Sequence, residues 1–200
     1  MKEIKVRITF TEDCLGTASA DPKIHDNFIA SNAPDAPSRE EEIEAVGVEE
    51  VVEKTKTIFP KDKNGNPFFW DYQIKGFFKG SCSDLQRCKG EDFAKATCKI
   101  KAYKKVIDGV VFVFPRKIPI MLAGPIGDLQ RPLRAQTAKG ERISLANSET
   151  IPAGSSIEFT IKSLSDEYVP AIKEWLDYGA LKGIGQWRNA GYGRFTYEIL

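Results

Sequence analysis

Histidine is nearly absent from the 200-residue sequence, and cysteine is sparse. His25 is the only histidine, and the four cysteines form no Cys-x-x-Cys pair. Tetrahedral zinc sites need several such ligands at short spacing, so we predict neither a metal site nor a cofactor. A single histidine also leaves little with which to build acid–base catalysis near neutral pH.

Long apolar runs are missing as well. No apolar run approaches the roughly 20 residues of a membrane-spanning helix, and the first residues alternate charged with β-branched side chains, unlike a signal peptide. Four cysteines are too few for a disulfide framework in a chain of this length. We therefore expect a protein of a reducing cytoplasm, with no membrane partner.

The charge is balanced overall but not along the chain. A net charge of +1 argues against a surface that coats nucleic acid without specificity. Residues 1–100 have a small acidic excess and residues 101–200 a small basic excess. The second half therefore has room for a local anion-binding face.

The spacing of apolar residues predicts both strands and helices in a globular chain with 42% apolar and 28% charged residues. Alternating apolar and polar residues predict strands over residues 4–10, 156–164 and 195–199. Capping residues and apolar positions three and four apart predict helices over residues 21–28, 76–87 and 166–178.

Two glycine-containing dipeptides predict hairpins, because Asn-Gly and Asp-Gly favour the turns that join paired strands. After Asn64-Gly65 we expect a strand that extends to Lys75. Asp108-Gly109 is predicted to join two further strands. The polar residues 88–97 are expected to form an exposed loop.

The predicted order of elements is strand, helix, hairpin, an elaborated middle, strand, helix and strand. Without the middle it resembles the βαββαβ plan of ferredoxin-like folds. We predict one α+β domain over residues 1–200, with a modified ferredoxin-like (RRM-like) fold and a C-terminal glycine-rich loop. An acidic helical segment is inserted at about 34–54 and a hairpin-rich elaboration at about 98–150. Such sheets leave one face free of helices, and RNA-recognition domains bind RNA there.

The most informative stretch is residues 179–194, where five glycines fall within 15 residues. Glycine adopts positive φ and exposes backbone N–H groups, so this loop can form an anion-binding nest. Interleaved aromatic and basic side chains can stack on bases and pair with phosphates. The alternative is a loop that only makes a tight connection. The predicted ligand-binding residues of the loop are Lys182, Gly183, Gly185, Trp187, Arg188, Gly191, Tyr192 and Arg194.

A basic segment precedes this loop. Residues 116–142 contain six cationic side chains and two carboxylates. Because the planar guanidinium group fits phosphate, we predict Arg131 and Arg134 as further ligand-binding residues. The alternative is an ordinary charged hairpin.

Residues 183–195, Gly-Ile-Gly-Gln-Trp-Arg-Asn-Ala-Gly-Tyr-Gly-Arg-Phe, resemble the C-terminal glycine-rich signature of the repeat-associated mysterious protein (RAMP) superfamily. Residues 72–85 and 148–159 are similar to two other segments of that superfamily. The resemblance implies a modified ferredoxin-like fold and a kinship with the RNA-binding backbone subunits and processing nucleases of CRISPR systems. The chain is shorter than most effector subunits and more similar to small phage and prophage proteins.

The resemblance implies that the protein binds RNA or a small or cyclic nucleotide. For a solitary phage protein it further implies interference with defence in a bacterial host cell, by mimicking a CRISPR subunit or by sequestering a nucleotide signal. Lys75 and Lys79 match the Lys-Gly segment of the superfamily, so they join the predicted site. We favour binding without chemistry.

Two alternatives belong to other classes. Processing nucleases of the superfamily often carry a histidine on or near the first helix, so His25 could serve as the general base of a metal-independent ribonuclease or phosphodiesterase. Lys75 or Arg188 would then steady the phosphate. In the other alternative, the protein docks onto a CRISPR effector complex without any nucleotide. A homo-oligomer is compatible with each of these functions.

Overall fold

The computed structural model of the protein describes residues 1–20, 56–89, 91–137 and 140–200, and side chains within these ranges except at 133–137 and 140–145. The predicted helix over 21–28, the acidic segment at about 34–54 and His25 lie outside the described residues. In this part of the chain, no helix has both the length and the apolar character that a membrane crossing needs.

The described chain contains groups of strands separated by pairs of helices. The helices are α1 (Asp71–Leu85), α2 (Tyr103–Val110), α3 (Val169–Asp177) and α4 (Gly179–Lys182). Short 3-10 turns occupy Gln86–Cys88, Asp92–Ala94, Thr97–Lys99, Asp166–Tyr168 and Arg188–Ala190. The strands are β1 (Lys2–Phe10), β2 (Cys14–Leu15), β3 (Ala18–Ser19), β4 (Thr57–Ile58), β5 (Phe68–Trp70), β6 (Val111–Phe114), β7 (Lys117–Met121), β8 (Gly127–Thr137), β9 (Gly140–Ile151), β10 (Ser156–Ser163) and β11 (Phe195–Ile199).

The main sheet has the strand order β11-β1-β10-β7-β5, and β6 also pairs with β10. Every pairing in it is antiparallel. Its centre is the β1–β10 ladder, which extends from Lys2 opposite Ser163 to Thr9 opposite Ser156. Helices pack on an antiparallel sheet, so the predicted α+β class is confirmed, as are the strands over 4–10, 156–164 and 195–199.

The core lies between the main sheet and helices α1 and α3. Alternation along β1 buries Ile4, Val6, Ile8 and Phe10 on the helix side of the sheet. From α1, Phe77 contacts the ring of Phe195 on β11, with ring centroids 5.3 Å apart, and Phe78 contacts Trp175 on α3 at 5.5 Å. Each such aromatic side chain removes a large apolar area from water, which fixes both helices against the sheet.

A second sheet has the order β2-β9-β4-β3, with β8 paired to β9. The β8–β9 hairpin is long: its pairing extends from Gly127 opposite Thr150 to Thr137 opposite Gly140. In this register Arg131 lies opposite Ala146. The hairpin therefore carries one of the predicted cations of the basic segment on its own two-stranded ladder.

Two strand predictions were wrong because helix signals prevailed. The strand predicted after Asn64-Gly65 exists over Phe68–Trp70 as β5, but its extension to Lys75 is the first turn of α1. Gln73 Oε1 accepts the Trp70 backbone N–H at 2.7 Å and caps the helix. Asp108-Gly109 lies inside α2 instead of forming a hairpin turn. The spacing of Tyr103, Val106 and Ile107 places these side chains against the core along one helix face.

Two loop predictions also need correction. The turn at Asn64-Gly65 exists, with Gly65 at a φ of 82°, but its strands separate beyond the Lys61–Pro67 bridge and pair elsewhere. Residues 88–97 are not simply an exposed loop. Thr97 is buried, because its N–H and hydroxyl both donate to the Glu174 carboxylate at 2.8 and 2.6 Å.

Candidate nucleic-acid interface

The glycine-rich loop is shaped by backbone contacts that exclude side chains. Gly183, Gly185, Gly191 and Gly193 have positive φ values of 72°, 92°, 94° and 71°. A Cβ on Gly193 would overlap the Ile184 carbonyl oxygen, and one on Gly183 would lie 2.6 Å from the carbonyl oxygen of Tyr192. These positions therefore require glycine for the turn itself.

Several N–H groups of this loop bond within the protein. Ile184 N–H donates to the Gly193 carbonyl at 2.9 Å, and Gly193 N–H donates to the Asp13 carbonyl at 2.8 Å. Gly191 N–H donates to the Arg188 carbonyl at 2.9 Å. These three N–H groups are occupied by hydrogen bonds within the protein, which argues against an anion-binding nest at these positions.

The loop and the β8–β9 hairpin meet at Trp187. Its indole stacks on the Tyr192 ring, with centroids 5.2 Å apart and planes 14° apart. The Arg131 guanidinium carbon, from β8, lies 4.0 Å from the indole centroid. Trp187 is still 41% exposed. We call Arg131, Trp187, Arg188 and Tyr192 the loop–hairpin surface, which unites residues of both predicted regions.

Arg131 has no anionic partner among the residues that the structure describes. Its Nε and Nη1 atoms are buried and make no hydrogen bond with the described residues. The cation–π contact with Trp187 offsets part of this cost, but a guanidinium group has five N–H donors and is best satisfied by carboxylate or phosphate. Arg131 is thus a half-buried cation on an exposed aromatic residue, and two of its nitrogens lack a hydrogen-bond partner among the described residues.

The other loop cations have different roles. Arg188 extends over α1, since a Cβ added to Gly80 would lie 4.0 Å from the Arg188 Nη1 atom. Lys182 forms an ion pair with Asp84, which ties α4 to α1. Arg194 Nε donates to the Leu181 carbonyl at 3.2 Å. Of these three cations, Arg188 alone is without an ion-pair or hydrogen-bond partner among the described residues.

Lys75 and Lys79 are not brought to the loop–hairpin surface. Lys79 Nζ lies 2.6 Å from the Asp108 carboxylate, and Lys75 Nζ donates to the Asp108 carbonyl at 3.2 Å. The hydrogen bond from Lys79 is the main reason why the pKa of Asp108 is lowered. Both lysines therefore join α1 to α2. The Arg134 side chain lies outside the described part.

A cleft of about 410 Å³ opens between the glycine-rich loop and the start of α1. Gly185 and Arg188 line it on the loop side, and Trp70, Tyr72 and Gly76 line it on the helix side. The sequence pattern predicts a strand for Trp70 and Tyr72, and neither residue is in the predicted site. The signal that could have found them is a pair of aromatic residues at the start of a glycine-containing helix, with Trp70 as the N-cap and Tyr72 in the first turn.

The open face of the main sheet, opposite the core, has a different electrostatic character. The cations that β1 and β10 place on this face are paired: Arg7 lies 2.6 Å from Glu158 and 2.7 Å from Glu198, and Lys162 lies 2.6 Å from Glu3. The hydrogen bond from Arg7 is the main cause of the lowered pKa of Glu158. These carboxylates already occupy the positions that phosphates would take.

The two buried cysteines, Cys14 and Cys82, offer no reactive thiolate. Burial raises the pKa of Cys14, and it raises that of Cys82 to about 12. Both thiols therefore stay protonated at neutral pH and are poor metal ligands. Within the described ranges, no three histidine, cysteine or acidic side chains gather where they could hold a metal ion.

No protein-family model and no curated protein matches the sequence. In structure, the chain is similar to a chain of a Type III-B Cmr-beta complex bound to cognate target RNA, with a TM-score of 0.51 and 14% identity. The match covers all of this chain and 59% of that one, so this protein spans little more than half its length. A chain of a Type IV-B CRISPR complex matches with a TM-score of 0.49 and 13% identity, over 100% and 90% of the two chains. The match to the Cmr-beta chain confirms, at the level of fold, the expected likeness to a CRISPR-complex subunit.

Proposed function

We propose that this protein is a RAMP-like protein that binds single-stranded RNA at the loop–hairpin surface and does not cleave it. The observation that carries the proposal is Arg131, a guanidinium group held against Trp187 with two buried nitrogens unbonded among the described residues. Leaving such donors unsatisfied is costly unless a ligand compensates, and an RNA phosphate is the compensating group that we infer.

The chemistry of the surface suits a nucleotide strand. Aromatic rings bind bases of any sequence through stacking, and arginine pairs with phosphate. None of the four side chains belongs to a residue type that titrates near neutrality, so the surface provides no general base for attack by a 2′-hydroxyl. Binding is therefore the favoured function, and a ribonuclease that uses His25 is the alternative.

The strand order supports a ferredoxin-like core within this proposal. Strands β1, β6, β10 and β11 occur in the order β11-β1-β10-β6, all antiparallel. Helix α1 precedes β6, and α3 follows β10. This alternation fits a βαββαβ plan in which β5, β7 and the second sheet are additions. We propose a single domain elaborated over about residues 98–150.

We further propose an anti-defence role in a bacterial host cell, in which a phage-encoded copy takes the place of an RNA-binding CRISPR subunit. The fold likeness to a chain of an RNA-bound Cmr-beta complex supports it. The four free cysteines are compatible with action in the reducing cytoplasm. The alternative form of the anti-defence role is that the protein binds and sequesters a nucleotide signal of the host.

The test is the anisotropy of a labelled oligoribonucleotide titrated with the parental protein and with Arg131→Gln. Removing a charge-assisted bond to phosphate should weaken binding about tenfold or more. Lys95→Gln removes an equal charge from a lysine that is paired with Asp92 and should leave binding unchanged. Equal affinity of the parental protein and Arg131→Gln would refute the proposal.

A denaturing gel of the same mixtures should show intact RNA. RNA cleavage that is abolished in His25→Ala would instead establish the nuclease alternative.

A further inference from the structure

Three aromatic side chains form a ladder where β5 passes into α1. Phe68 and Trp70 make an edge contact with ring centroids 4.9 Å apart, and Trp70 and Tyr72 stack with centroids 6.1 Å and planes 15° apart. Phe68 is buried, whereas Tyr72, at the other end, is 58% exposed. We call Phe68, Trp70 and Tyr72 the ladder. It ends in the exposed ring of Tyr72, which stacks on Trp70.

Two cations lie against this ladder. The Arg116 guanidinium carbon is 5.8 Å from the Trp70 centroid, and Lys117 Nζ is 5.5 Å from it. The position of Lys117 follows from the β5–β7 register, in which it lies opposite Trp70. Neither cation has an ion-pair partner in the described part of the chain.

The nearby carboxylates are engaged elsewhere. Asp62 Oδ1 accepts the backbone N–H groups of Asn64 and Asn66 at 2.8 Å, and these bonds together with the field of Lys117 lower its pKa. Asp71 Oδ1 accepts the N–H of Tyr72 at 2.8 Å. The cations beside the ladder therefore have capacity to bind an anion.

The cleft of about 410 Å³ connects the ladder to the loop–hairpin surface, with Trp70 and Tyr72 at one side and Arg188 at the other. An exposed ring beside such cations suits a planar group that carries negative charge, which is the chemistry of a nucleotide. A peptide partner would need a carboxylate together with a ring to match both features.

We propose that the ladder, with Arg116 and Lys117, is a second subsite for the same RNA, in which a base stacks on Tyr72 and its phosphate pairs with the two cations. This inference rests on the proposed function. It also specifies the ligand: two subsites joined by a cleft select a linear strand of several nucleotides over a single or cyclic nucleotide.

The experiment measures affinity for oligoribonucleotides of increasing length, from a dinucleotide upward. For strands long enough to reach both subsites, Tyr72→Ala should weaken binding about tenfold, and Tyr72→Phe should retain it because the ring remains. Phe93→Ala is the control, since Phe93 is 61% exposed on the separate Asp92–Ala94 turn. For the shortest strands, Tyr72→Ala and the parental protein should bind alike.

The outcomes separate the two proposals. If Trp187→Ala weakens RNA binding but Tyr72→Ala matches the parental protein at every length, the second subsite is refuted and the proposed function stands. If the parental protein prefers a cyclic nucleotide to every linear strand, the strand-selection inference is refuted. If no RNA binds the parental protein at all, the proposed function itself fails.

Discussion

The open face of the main sheet and the loop–hairpin surface both present arginine, yet the two arginines are in opposite electrostatic states. On the sheet, Arg7 lies directly between Glu158 and Glu198, which are its neighbours in the registers of β10 and β11. On the hairpin, the cross-strand neighbour of Arg131 is Ala146. A cation opposite alanine has no carboxylate directly across the ladder.

Strand register therefore decides which cations remain available for a ligand. Exposed pairs such as Arg7–Glu158 contribute little to stability, but they neutralise a face that would otherwise attract phosphate. Arg131 instead contacts an aromatic ring and has no carboxylate partner within the described ranges. The part of the open face that β1, β10 and β11 form is thus less suited to phosphate than the loop–hairpin surface.

The largest expected effect concerns the glycines that shape the loop. Gly193→Ala should destabilise the protein by about 3 kcal/mol or more, since the new Cβ would overlap the Ile184 carbonyl at a positive φ. Gly191→Ala is the matched control, because its Cβ would lie 3.6 Å from the flexible Arg194 guanidinium. In Gly191→Ala only the left-handed backbone conformation is unfavourable, and it should lower the free energy of unfolding by about 1–2 kcal/mol. Urea denaturation gives both values, and equal losses of stability would contradict this account of the loop.

The next effect contrasts exposed aromatic residues of the two surfaces. Trp187→Ala removes the ring that supports both Arg131 and Tyr192 and should weaken RNA binding about tenfold, with an unchanged circular dichroism spectrum. Phe114→Ala removes an exposed ring that lies under Lys162 on the sheet face and should leave affinity unaltered. Anisotropy titrations compare the two variants. If Phe114→Ala weakens RNA binding more than Trp187→Ala does, the sheet face and not the loop–hairpin surface contacts the RNA.

The smallest effect is the pH dependence of the sheet face. Because Arg7 lowers the pKa of Glu158, the stabilisation from this pair is present above the unfolded-state pKa and is lost as pH falls through the folded-state value. The difference in thermal midpoint between the parental protein and Arg7→Gln should therefore be larger at neutral pH than in acid well below both values. A difference independent of pH would show that the pair does not stabilise through ionised Glu158.

Local patterns were enough to predict much of the fold. Apolar alternation identified β1, β10 and β11, and helical spacing identified α3 and most of α1. The strand predicted before α1 failed because the Gln73 cap is a side-chain contact that alternation does not reveal. Asp108-Gly109 failed because helix α2 packs its apolar side against the core, which overrides a local turn preference.

The candidate site was predictable in composition but not in arrangement. Glycine spacing indicated the turns of the loop, since positive φ is a local property. The contact of Arg131 with Trp187 joins residues far apart in sequence and depends on how the hairpin packs. The resemblance predicts Lys75 and Lys79 in the site, yet both contact Asp108, which the sequence order does not place beside them.

The central claim is that RNA contacts the unpaired arginines and not the paired cations of the sheet. The most direct test is the salt dependence of RNA affinity for two double variants that remove the same charge, Arg131→Gln with Arg188→Gln and Arg7→Gln with Lys162→Gln. The loop–hairpin variant should bind RNA about tenfold more weakly than the parental protein, or weaker still. Its slope of log affinity against log salt concentration should become shallower by about 0.7 for each phosphate that is no longer neutralised. The sheet variant should keep the parental affinity and slope. If the sheet variant binds RNA more weakly while the loop–hairpin variant does not, RNA binds the open sheet face and the account is contradicted.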